Sequence, residues 1–137
     1  MPKYFTVDDA NRTLPLVRRI VGDVVTTHRE LLERIDEYRA LDPESEAPKA
    51  RRREIEQEMQ DLTDRVNGFI AELEEIGALF KGFEEGLVDF YGMLDGSPVF
   101  LCWKLGEESI EWWHELDSGY SGRQRLPEHL LSVGGSA

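Results

Sequence analysis

The sequence predicts an α+β protein: a long antiparallel helical hairpin packed at its base on a small three-stranded antiparallel β-meander, with a C-terminal loop or short helix. Three observations carry this. Apolar residues recur at spacings of three and four until the late seventies. From Leu87 they alternate by two. Between the two halves of the helical pattern, DPESEAP at 42–48 makes a single break. The chain, residues 1–137, is expected to form one domain. A first helix covers 6–41 with a break at Pro15, and a second covers 48–77. The meander covers 87–115, and a loop and tail cover 116–137.

The first helix starts at Thr6, whose hydroxyl can cap free N–H groups, with Asp8 and Asp9 at the positive end of the dipole. Pro15 has no N–H, so it either kinks the helix or opens a second one. Leu14, Val17, Val21, Val24, His28, Leu31, Ile35 and Tyr38 then form one heptad stripe. The second stripe is Ile55, Met59, Leu62, Val66, Phe69, Leu73 and Ile76, and Gly77 or Gly82 can end it. A short connection makes the two helices antiparallel neighbours. Each helix of about 28 residues spans about 42 Å, more than the remaining chain can cover. The distal seam is therefore expected to be completed by a second copy, a homo-oligomer (dimer) joined through the helical hairpin. His28 is placed far from the sheet, as a hydrogen-bonded seam residue rather than a metal ligand.

In the second half, Asp95-Gly96 is a favoured two-residue hairpin turn, and VFLCWK at 99–104 is the best strand. That turn sets Asp89 opposite Cys102. A further turn at Gly106-Glu107-Glu108, followed by a strand over 109–115, sets Cys102 opposite Trp112 and Phe100 opposite His114. One face then carries Asp89, Tyr91, Phe100, Cys102, Trp112 and His114, with Asp89, Cys102 and His114 close enough to converge. A one-residue slip in the second hairpin would move His114 to the other face.

Composition narrows the classes of function. Sixteen basic and 28 acidic residues give a net charge of −12, which opposes nucleic acid and anionic membranes. The basic run Arg51-Arg52-Arg53 is followed at once by Glu54, Glu56 and Glu58. A single cysteine excludes an intrachain disulfide, and with no signal core or long apolar run the expected location is cytoplasmic.

Two groups of residues can carry chemistry. Asp89, Cys102 and His114 offer the donors zinc or another divalent metal takes, although no CxxC, HxxxH or HExxH spacing is present. In the competing reading Cys102 is a small buried apolar residue and His114 a hydrogen-bonded strand end. The second group, between Trp113 and Arg123, gathers Trp113, Glu115, Tyr120 and Arg123 as ligand-binding candidates. There Arg123 either meets an anionic group or pairs with Asp117 or Glu115 to staple the loop. Of Trp103, Trp112 and Trp113, two are expected in the core.

These segments resemble the uncharacterised prokaryotic family designated domain of unknown function 2203. The resemblance rests on Tyr4-Phe5-Thr6, Ala10-Asn11, Leu14-Pro15, Gly86 to Phe90, Asp95-Gly96, Val99 to Trp103, Gly106-Glu107, Trp113-His114-Glu115, Gly119-Tyr120 and Gly122-Arg123. It implies a stand-alone bacterial or archaeal protein with no assigned activity. Its polar motif residues, Asp89, Cys102, Glu107, His114, Glu115 and Arg123, draw attention to a site without naming a reaction. Two functions are expected: a non-catalytic, self-associating interaction module, or a small-molecule or metal-binding protein with its site on the sheet, for which catalysis is left open.

Overall fold

A computed structural model describes residues 3–44 and 49–131. Part of the connection between the helices (45–48) and the last residues (132–137), the end of the expected loop and tail, lie outside them.

Helix α1 runs Val7–Ala40 and α2 runs Lys49–Ile76. At the start of α1, the Thr6 side chain accepts from Asp9 N–H and the Asp9 carboxylate accepts from Thr6 N–H, a reciprocal capping box. Pro15 does not break the helix, contrary to expectation; α1 passes through it as one element. Pro15 lies on the exposed side while Leu14 and Val17 are buried on the other, so packing holds the helix across one missing hydrogen bond. Near the hairpin turn the helices meet antiparallel. Arg51 on α2 forms a two-pronged pair with Glu37 on α1, and Tyr38 donates to Glu56. Gly77, at a φ of +103°, ends α2 in a left-handed conformation open to glycine.

Five antiparallel strands follow, in the order β1-β2-β3-β4-β5: Leu79–Gly82, Leu87–Leu94, Ser97–Lys104, Trp112–His114 and Gln124–Arg125. The three expected strands are the central ones, with one added at each edge. The β2–β3 turn is Asp95-Gly96, both at positive φ as this turn type requires. The register is the one expected: Asp89 lies opposite Cys102, Phe100 opposite His114, and Cys102 opposite Trp112. The connection between β3 and β4 is longer than three residues. It is pinned by Ile110, whose N–H donates to Asn11 on α1 at 2.7 Å.

Val88, Phe90, Leu101 and Trp103 point to one face and pack with Val17, Val21, Val24 and Leu73 in the core. The sheet runs well along α1. Arg18 donates to the Glu108 carbonyl, and Gly86 fits so closely against Val21 that a Cβ there would meet Val21 Cγ1 at 2.9 Å. His28 is therefore not remote from the sheet. Its ring stacks on Phe83, in the β1–β2 turn, at 4.2 Å. Beyond Thr27, α1 has no buried residue among those described.

Candidate functional site

The outer face of the sheet, away from the helices, also buries side chains, and beside Phe100 these include polar ones. Asp89 on β2, Cys102 on β3 and His114 on β4 are 5%, 1% and 2% exposed. Strand alternation puts all three on one face, and adjacent strands bring them together. One ligand atom from each lies within 4.8 Å of the others.

The hydrogen bonds settle the protons. His114 Nδ1 lies 2.8 Å from the Glu115 carbonyl oxygen, which can only accept, so Nδ1 carries a hydrogen. His114 Nε2 lies 3.0 Å from both Asp89 oxygens. In neutral His114 the Nε2 lone pair therefore faces the carboxylate, and a single proton between them satisfies both. Burial raises the Asp89 pKa, although His114 and Lys81 pull it back. Burial, then the Asp89 charge, pushes the Cys102 thiol up to about 12. The thiol donates to Asp89, so the carboxylate sits between sulfur and imidazole.

That order matters chemically. A nucleophilic cysteine needs its histidine as neighbour and a carboxylate behind the histidine. Here both histidine nitrogens are taken and the thiol is disfavoured as a thiolate, so the trio is poorly built for nucleophilic attack. Three donors around a point suit a cation better. Tetrahedral zinc with ordinary bond lengths separates its ligand atoms by about 3.3–3.8 Å. The separations here, from 3.0 Å between Nε2 and Oδ1 up to 4.8 Å, bracket that range. The carbonyl on Nδ1 is the outer partner a ligating histidine usually has.

A cavity of about 320 Å³ opens over the cluster, walled by Leu87, Phe100 and Leu116, with Lys81, Ser118 and Tyr120 as its other polar groups. Its covering loop, residues 115–123, is held by Arg123. The guanidinium makes two 2.9 Å bonds to Glu107 and lies against the rings of Trp112 and Tyr120. Burial opposes its charge, but Glu107 outweighs this and the Arg123 pKa is raised. Arg123 is thus a staple, and its partner is neither Asp117 nor Glu115. Tyr120 lines the cavity, and its hydroxyl accepts from Lys104 at 3.2 Å. Trp113 and the exposed Glu115 side chain line a different hollow with Asp95, Pro98 and Asp117. Trp103 is fully buried and Trp113 packs partly against the core, while Trp112 is half-buried beneath Arg123 and Arg125.

Sequence reasoning missed Lys81 as a lining residue because the segment between the helix end at 77 and the meander at 87 was given no strand. It also missed Glu107 as the partner of Arg123, which lies 16 residues away across the turn.

The fold and site define an α+β protein in which a helical hairpin backs an antiparallel sheet, with a buried Asp-Cys-His cluster on the far face. The chain belongs to the family of uncharacterized conserved proteins DUF2203, whose sequence model matches residues 3–126. No curated protein and no solved structure matches it. Among the described residues no helix is long and apolar enough to cross a membrane.

Proposed function

We propose that the protein is a metalloprotein of the zinc type. Asp89, Cys102 and His114 are its three protein ligands, and the remaining coordination position faces the cavity. The observation that carries this reading is the convergence of three different donor atoms within 4.8 Å, all buried, on three adjacent strands. Three protein ligands plus a position for water or substrate is the pattern of catalytic rather than structural zinc. The reaction class this supports is Lewis-acid or metal-hydroxide chemistry on a small molecule. A lone cysteine used as a thiolate ligand suits a reducing compartment such as the cytoplasm. The net charge of −12 weighs against nucleic acid as partner.

Titration of the purified protein with zinc or cobalt(II) tests this. One equivalent is taken up, with release of protons because the thiol must ionise to bind. Cys102→Ser, Asp89→Asn and His114→Ala each weaken uptake by more than about 100-fold, beyond the 10–100-fold typical of outer-shell changes. Uptake that is absent, or indifferent to Cys102→Ser and His114→Ala, overturns the reading.

A second reading, self-association through the hairpin, is favoured by one observation. Past Thr27 the α1 stripe of Leu31, Ile35 and Tyr38 is only half-covered, and Leu32 is 46% exposed. A second copy laid on this end as a four-helix arrangement would cover it. Light scattering at micromolar concentration decides: a dimer supports this reading, and a strict monomer removes it.

A further inference from the structure

The same cavity carries information about what it admits. Its lining sets Leu87, Phe100 and Leu116 beside the metal-ligating cluster and three further polar side chains, Lys81, Ser118 and Tyr120, that can fix a ligand's orientation. Among those groups, Lys81 is the cation. Its ammonium lies over the Phe100 ring at 5.3 Å and forms no ion pair among the described residues, in a chain with 28 acidic side chains. The Tyr120 hydroxyl accepts from Lys104 at 3.2 Å, and no acceptor among the described residues takes its own proton. A divalent ion held by one carboxylate, one thiolate and a neutral imidazole makes a centre of no net charge. The cavity would then carry one unpaired positive charge and one free O–H donor, both suited to an anionic oxygen.

We infer that the cavity takes a small organic anion, whose carboxylate or phosphate oxygens are held by Lys81 and the Tyr120 hydroxyl while its reacting end meets the metal. This rests on the metal reading for the reacting end and for the neutral cluster that leaves the Lys81 charge uncompensated. At about 320 Å³ the cavity is at the small end of ligand sites, a size that suits a metabolite-sized molecule. The charge on Lys81 also offsets the repulsion an anion meets from the acidic surface.

Isothermal titration calorimetry of the zinc-loaded and metal-free protein with acetate and inorganic phosphate, and with acetamide as the uncharged control, tests the inference. Acetate or phosphate binds the zinc-loaded protein and acetamide does not. The tighter of the two anions identifies the ligand's group. Lys81→Met weakens the anion about five- to tenfold, as expected for one charge-assisted contact at a partly wet site. Lys81→Arg keeps the charge and stays within about twofold of the parent. Tyr120→Phe weakens binding by a smaller factor. Equal binding of acetamide, or anion binding indifferent to Lys81, overturns the inference and leaves the metal centre standing. Absence of zinc uptake overturns the metal reading instead. The metal-free titrations then decide the anion site, and no anion heat there overturns it as well.

Discussion

The two faces of the sheet bury side chains of opposite chemistry, and only one of them explains stability. On the inner face, Val88, Phe90, Leu101 and Trp103 meet the helices and leave water entirely or nearly so. Their burial is what drives folding. On the outer face, Asp89, Cys102 and His114 are just as dry, yet no helix covers them. Desolvating a carboxylate and an imidazole costs free energy that the pair only partly recovers. A face that buries polar donors under a stapled loop is therefore better explained by what it binds than by what it stabilises.

The largest effect that separates the faces comes from the inner one. Trp103 is fully buried, and its indole N–H donates to the Glu107 carbonyl at 2.9 Å. Trp103→Ala removes the largest buried side chain and destabilises the protein by about 3–5 kcal/mol. Denaturant unfolding followed by circular dichroism measures this, and a loss below 1 kcal/mol would contradict the core described here.

The outer face gives a smaller and differently shaped result. In the metal-free protein, His114→Ala leaves the Asp89 carboxylate buried with only the thiol, at a cost of about 2–3 kcal/mol. Replacing both partners by apolar residues, Asp89→Val with His114→Leu, removes the stranded charge. The double variant should be more stable than the single one. If the double variant is instead the less stable, the cluster is structural and the contrast between the faces fails.

Much of this contrast was legible in the sequence. The Asp95-Gly96 turn and strict alternation set the Asp89–Cys102 pairing, and the same alternation carried through the next turn to His114. What was hidden depended on tertiary packing. Pro15 reads as a break, but its missing hydrogen bond lies on the wet side of a helix gripped by Leu14 and Val17. Leu79–Gly82 is too short and too close to a helix end to read as a strand, and Gln124–Arg125 is two residues long. His28 was misplaced because a helix measured from its base says nothing of how far the β1–β2 turn climbs to reach it. Arg123 showed its chemistry but not its partner, since three carboxylates lay within plausible reach and only folding selects Glu107.

That staple yields the smallest effect and the sharpest test of whether the loop serves the site. Arg123 and Glu107 side chains are 10% and 18% exposed, and their two-pronged pair fixes the turn after β3 to the loop over the cavity. Arg123→Lys keeps the charge but loses the fork and the flat stacking on Trp112 and Tyr120. It should cost about 1–2 kcal/mol in unfolding experiments, with a comparable coupling energy in a double-mutant cycle with Glu107→Gln. Because Arg123 touches none of the three donor atoms at hydrogen-bond distance, its loss should leave the stoichiometry of metal uptake at one. It should speed metal exchange by opening the cover. Unchanged exchange in a destabilised Arg123→Lys protein would mean that the loop braces the sheet alone, and the polar face would lose its claim to a guarded site.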